Sequence, residues 1–171
     1  KGNLALNEFN LGKFFNDEIN LGKVSLQGKI DGGGLTLESL HANLEGTVSS
    51  LQLKGYDYRD IQVNGYIVRK SFNGLFQIHD DNLDMDFNGR ADLSKSTPDF
   101  RFETDIRWAK LKNLNLMKDD LRITGKMKSD FSGAKVDDMD GKVELKDVVL
   151  LRDTVLARIK YLDLSAKLAD G

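Results

Sequence analysis

The chain has no cysteine, one proline, one tryptophan and two histidines in 171 residues. Without cysteine there is no disulfide framework, no thiolate nucleophile and no Cys-ligated zinc site, and the absence fits any compartment. No run approaches the roughly 18 consecutive apolar residues of a membrane-crossing helix, and no basic segment followed by an apolar one opens the chain. Neither sign of charge dominates. The 25 Lys and Arg are interleaved with 27 Asp and Glu, for a net charge of −2, which excludes the basic stripe of a nucleic-acid-binding surface. Long helical patterning is missing too. At 40% hydrophobic and 30% charged residues, the composition is that of a folded domain, and the length suits one domain with a sizeable core. The chain opens on Lys1 and stops at Gly171 within its pattern, so it reads as an internal slice of a longer protein.

What the chain does have is period-2 alternation, the mark of half-buried strands. Val24, Leu26 and Ile30 share a phase, as do Leu44 and Val48, then Leu51 and Leu53, then Ile61, Val63 and Ile67. Phe72, Phe76 and Ile78 follow, then Leu83, Met85, Phe87, Ala91 and Leu93. Phe100, Phe102, Ile106 and Trp108 alternate against Arg101, Glu103, Asp105 and Arg107. Leu121, Ile123 and Met127 continue the series, then Met139, Val143 and Leu145, and finally Leu162, Leu164, Ala166 and Leu168. Turns are expected at "YDYRD" (56–60), "HDDN" (79–82), "SKSTP" (94–98), "MKDD" (117–120) and "VDD" (136–138), where Asp and Asn bond their own backbone. "LGKFFNDE" (11–18) lacks alternation and reads as a short helical turn. The expectation is an all-β domain over 1–171, an antiparallel meander of about ten to twelve strands, too many to stay flat.

Seven glycines occupy the apolar phase inside strands: Gly28, Gly46, Gly65, Gly74, Gly89, Gly125 and Gly141, with Gly55 an eighth at a strand end. Glycine in a strand interior marks a bend, a bulge or close backbone approach. Aligned at one level of adjacent strands, these glycines would let a single sheet fold sharply, as glycine kinks do in curved sheets. The apolar residues named above would then line two facing walls, either pressed together as a core or standing apart as a trough.

The order of motifs carries a resemblance. "GYDYRDIQVNG" (55–65), "FNG" (72–74) with "IHDDNLDMDFNGRADLS" (78–94), "AKLKNLNL" (109–116) and "LRITGKMKSDFSG" (121–133) are its strongest elements. "LGKFFNDEINLGKVSLQGKI" (11–30) and "MDGKVELKD" (139–147) extend it more weakly. In this order the chain resembles the AsmA-like TamB family, the inner-membrane subunit of the translocation and assembly module of double-membraned bacteria. The resemblance implies a β-sheet tube split along one side, anchored in the inner membrane and reaching across the periplasm. Its apolar groove would carry phospholipid toward the outer membrane or assist outer-membrane barrel proteins, with a barrel partner engaged by parts of the parent outside this chain. Such a slice is expected to have no cofactor and no catalytic residues, and to associate with other copies through its exposed edge strands.

No competing chemistry stands out. His41 and His79 are far apart, and "DDNLDMD" (80–86) lacks the spacing of a calcium loop, so His79, Asp80 and Asp81 read as a solvated turn. Asp119–Asp120 and Asp137–Asp138 read the same way. The acidic residues alternate with Lys and Arg on strand faces, where cross-strand pairing explains them. Ser49, Ser50 and Ser71 sit in no nucleophile elbow. Tyr56 and Tyr58 are expected in a turn. Two other readings remain: a closed barrel binding a small lipid, and a structural envelope module with a dry core.

Overall fold

The computed structural model describes residues 1–34, 36, 38–133 and 140–167. Ten strands form one sheet: β1 (Gly2–Asn10), β2 (Leu21–Gly33), β3 (His41–Leu53), β4 (Tyr56–Val68), β5 (Ser71–Asp80), β6 (Leu83–Asp92), β7 (Asp99–Lys110), β8 (Leu121–Ser132), β9 (Asp140–Arg152) and β10 (Val155–Ala166). A five-residue helix, α1 (Leu11–Phe15), joins β1 to β2. Its limits follow from its caps. The Asn10 side chain accepts from the Lys13 amide at 2.8 Å, and Asn16 closes the turn in the left-handed conformation. Met139, Asp137–Asp138, the turn at 136–138 and Leu168 lie outside the described residues.

The strand order is β1 to β10 in sequence, and every described pair is antiparallel. β1 and β10 do not pair, so the sheet is open and the barrel reading fails among the described residues. The exposed area fits an unclosed sheet. It is 11301 Å² for a 19.2 kDa chain, against about 8,400 Å² for a compact monomer of that mass.

Two-residue turns join β3 to β4, β4 to β5, β5 to β6 and β9 to β10. Lys54 and Gly55 both have positive φ, 50° and 76°, the form that matches the strands' twist. Tyr56 and Tyr58 therefore stand in β4 rather than in a turn, and Gly55 is a turn residue. Tyr58 is buried, with its ring 4.7 Å from that of Tyr56. Residues 41–53, which read as two apolar runs, are one strand.

The register exposes a feature that simple alternation hides. Apolar-face residues stand three apart, not two, at Leu6/Phe9, Val48/Leu51, Tyr58/Ile61, Ile106/Ala109, Leu145/Val148 and Ile159/Leu162. On β1, β3, β4 and β7 these irregularities fall between two neighbouring levels of the sheet, and on β9 and β10 they fall one level over, beside Met127 and Gly125. One level is Leu6–Leu26–Val48–Ile61–Ile78–Met85–Ile106, and the other contains Phe9–Val24–Leu51–Tyr58. Glu8, Asp60 and Asp147 sit within them at φ of 50°, 49° and 52°. A bulge raises local twist and bends its strand, so this line is a bend running across the strands. One consequence corrects the expected phase of Trp108. The bulge after Ile106 places Trp108 opposite Asp84 on the polar face, 42% exposed, and puts Ala109 on the apolar face in its stead.

Candidate functional site: an apolar sheet face

Cross-strand partners share a face, so the register gathers the expected wall residues into transverse rows. One row runs Val63–Phe76–Phe87–Thr104–Met127–Leu145–Leu162. Beside it lies Ile30–Leu44–Gly65–Gly74–Gly89–Phe102–Ser129–Val143–Leu164. Beyond that lie Ile67, Phe72, Ala91, Phe100 and Phe131. Aromatic rings fill the middle. Phe76 and Phe87 stack at 4.4 Å, Phe87 meets Phe102 at 5.0 Å, and Phe100 meets Phe131 at 5.0 Å.

The face is unevenly covered. At the α1 end Val24, Val48, Tyr58, Ile61, Ile78, Leu83 and Ala109 form a buried cluster closed by Leu114, which is fully buried. Leu114 belongs to the 111–120 connection, which lies over this end. The side-chain amide of Asn115 donates to the Lys54 carbonyl at 3.1 Å, and that of Asn113 to the Asn82 side chain at 2.9 Å. Beneath it Asp80 is 5% exposed. Its carboxylate accepts from the Tyr56 hydroxyl, the Arg59 amide at 3.1 Å and the Asn82 amide at 2.8 Å. Asp80 is thus a structural tie and not part of a solvated turn. Burial, then the bond to Asp80, raises the Tyr56 hydroxyl above its ordinary pKa. Around and beyond this cluster the face is half-open, with Leu26, Val63, Phe76, Met85 and Ile106 packed against the cluster's rim. Leu26, Ile30, Leu44, Val63, Ile67, Phe72, Phe76, Met85, Phe100, Phe102, Ile106, Leu121, Ile123, Met127, Val143 and Leu145 are all partly exposed, and Phe87 is 8% exposed.

The glycines do not stand at one level. Gly28 opposes Gly46, while Gly65, Gly74 and Gly89 oppose one another two residues further along. Gly125 opposes Ile106, and Gly141 opposes Phe131. What they share is crowding: a Cβ at Gly74 would lie 2.4 Å from the Asn64 carbonyl oxygen, and one at Gly89 would lie 2.3 Å from that of Arg101. Close approach of neighbouring strands excludes a side chain at these points.

Two polar residues on this face escaped the alternation reading. The Thr104 hydroxyl donates to the Asp86 carbonyl at 2.7 Å. Ser129 is 2% exposed and its hydroxyl has no hydrogen-bond partner. A small hydroxyl in an otherwise apolar phase was the available signal. On the polar face Arg107 bridges Asp84 and Asp86, and its hydrogen bonds hold both carboxyls below their usual pKa. His79 approaches Asp84 at 3.2 Å. A hollow of about 960 Å³ is lined mainly by polar-face side chains, including Gln62, Gln77, Asp86, Asp105, Lys126 and Lys146. The sequence pattern did not anticipate it.

Among the described residues no group of three His, Cys, Asp or Glu side chains is placed to hold a metal ion, and no helix is long and apolar enough to cross a membrane. Comparison of the chain with protein-family models, curated proteins and solved structures finds no match.

Proposed function

We propose that this chain is a non-enzymatic segment of an envelope protein of the TamB type, and that its apolar face conducts phospholipid acyl chains between the two membranes of a double-membraned bacterium. In this reading the chain works in the periplasm, as part of a parent held in the inner membrane. The observation that carries the proposal is the row from Val63 through Phe76, Phe87, Met127 and Leu145 to Leu162, which crosses seven strands, is apolar except at Thr104, and is part-exposed except at Phe87 and Thr104. Acyl chains need a continuous apolar surface and no directional partner, and such a row supplies one. The open sheet supports the reading, because a carrier that passes cargo along its length needs a path without end walls. The crowding at Gly28, Gly46, Gly65, Gly74, Gly89, Gly125 and Gly141 and the three-residue steps support strands that approach closely and bend where cargo would lie. Outer-membrane barrel proteins are the alternative cargo. Their extended segments would use the sheet's edges as well as its face.

Photo-crosslinking in living cells tests this. A photoreactive residue replaces Phe102, which is part-exposed on the apolar face, and in a second variant Glu103, on the polar face. Phospholipid adducts at 102 and none at 103 are expected. Adducts to outer-membrane barrel proteins at 102 would move the cargo to protein. No adduct at 102 in a folded protein would overturn the conduit and leave a structural envelope module, which the buried cluster around Leu114 favours.

A further inference from the structure

The polar face is divided into two blocks of different character. On β7, β8 and β9 three neighbouring rows are Asp105–Lys126–Lys146, Glu103–Lys128–Glu144 and Arg101–Asp130–Lys142, and every position is charged. Opposite signs meet at Lys126–Asp105 (3.1 Å), Lys128–Glu103 (2.8 Å) and Arg101–Asp130 (3.1 Å), so ordinary cross-strand pairing accounts for this block. The same three rows cross β4 and β5 as Gln62–Gln77, Asn64–Leu75 and Tyr66–Asn73, without one charge. Asn43 on β3 and Asn88 on β6 flank them, opposite Tyr66 and Leu75. Nothing in the fold asks for this neutral block. Asparagine is depleted in strands, and mixed charge is what ordinarily keeps a surface soluble. All six carboxamides are exposed. Among the described residues only that of Gln77 has a side-chain hydrogen bond, to Asp86 at 2.9 Å. Tyr66 is 39% exposed and Leu75 48%. They are diagonal neighbours across β4 and β5, close enough for their side chains to offer one apolar platform. Gln62, Asn64, Leu75, Gln77 and Asn88 also border the hollow of about 960 Å³, so the block is recessed.

We infer that this block is a binding site for a neutral linear glycan. A sugar ring has a C–H face that packs on an apolar platform, and a rim of hydroxyls that both donate and accept hydrogen bonds. A carboxamide matches that rim, with two N–H donors and a carbonyl acceptor, whereas a carboxylate only accepts and an ammonium only donates. The platform of Tyr66 and Leu75 supplies the first contact, and the amides around it supply the second. A surface without charge costs less to desolvate than a charged one, which favours a ligand that brings no charge of its own. An acidic ligand would give up its hydration over these amides with no cation among them to replace it. The block measures roughly 14 Å by 14 Å, along the strands and across β3 to β6, which is room for a short run of sugar rings. It lies on the face opposite the proposed conduit, so it stands whether or not the apolar face moves lipid.

Titration calorimetry with chitohexaose and cellohexaose tests it, with hexagalacturonate, which has a carboxylate on every ring, as the charged comparison. Saturable binding of at least one neutral hexamer is expected, and hexagalacturonate is expected to bind about tenfold more weakly or less. Tyr66→Ala and Asn64→Ala are each expected to raise the dissociation constant about fivefold or more. Lys142→Ala, in the charged block, is expected to leave it within about twofold. Far-UV circular dichroism confirms that each variant is folded. In a nitrogen–proton correlation spectrum the side-chain amide signals of Asn64, Gln62 and Asn88 are expected to move as the hexamer is added. Binding of neither neutral hexamer, equal or tighter binding of hexagalacturonate, or indifference to both Tyr66→Ala and Asn64→Ala would each overturn the inference.

Discussion

Gly89→Ala adds one methyl group to the middle of the apolar face, and its cost can be worked from the backbone. The new Cβ would lie 2.3 Å from the Arg101 carbonyl oxygen, 2.5 Å from the Phe102 Cα and 2.6 Å from the Phe102 Cβ. Ordinary carbon contacts stand at about 3.5–4.0 Å, so β6 and β7 must part by about 1 Å. Overpacking of that order costs about 1–3 kcal/mol. The residue also sits at φ 152°, a region that L side chains rarely adopt, adding about 1–3 kcal/mol. The expected loss is about 2–6 kcal/mol, a large part of a domain's net stability of about 5–15 kcal/mol. The assay is urea unfolding followed by circular dichroism, where a loss of this size moves the midpoint by about 1–2 M. Gly2→Ala is the control: nothing lies within 4 Å of its added Cβ, and its effect is expected within about 0.5 kcal/mol. If Gly89→Ala matches that control, the strands do not approach as closely as described and the steric reasoning is wrong.

Leu114→Ala should cost about 2–5 kcal/mol, because it is the one fully buried side chain with which the 111–120 connection closes the cluster. A loss below about 1 kcal/mol in the same urea assay would show that this loop is not part of the core. Ser129→Ala removes a buried hydroxyl with no partner and is expected to be neutral or stabilising by up to about 1 kcal/mol. A clear destabilisation would mean that the hydroxyl is satisfied after all. Asp92 accepts from the Ser94 hydroxyl at 2.5 Å and the Ser94 amide at 3.0 Å, and pairs with Arg90 at 2.6 Å. These bonds hold its pKa near about 2, against 3.8 ordinarily. Because the folded value lies below the unfolded one, its contribution, at most about 2 kcal/mol, is complete above about pH 4. It is lost as pH falls through 2. Asp92→Asn should flatten the stability profile between those values, and an unchanged profile would count against the assignment.

The strands were legible because their alternation is nearly unbroken. Val63, Phe76, Phe87 and Met127 read as one face and stand in one row. The short helix at 11–15 was legible from the lapse in alternation. Less legible was anything that depends on a change of phase. Trp108 lies two residues past Ile106 and seemed to share its face, but a single extra residue in the β7 ladder reverses the face of all that follows. Tyr56 and Tyr58 follow a Lys–Gly pair whose turn geometry ends sooner than the Asp-rich stretch suggested. Asp80 looked solvated because its sequence neighbours are acidic. Its partners include the Tyr56 hydroxyl, 24 residues away, and the Arg59 amide, contacts no local pattern encodes. The levels of the glycines were beyond reach as well, since register between strands depends on turns and bulges together.

The order β1 to β10, each strand beside its sequence neighbours alone, has a consequence for how such a chain forms and changes. No strand waits for a distant partner, so loop closure is cheap at every step and assembly can zip outward from any hairpin. The α1 end of β1 through β7 holds the buried cluster, so β8 to β10 should be the first to open and the last to close. The same topology makes length a free variable. Duplicating or deleting one hairpin leaves every other pairing intact, as in solenoids whose units touch only their neighbours, and a protein built this way can be tuned to the distance it has to span.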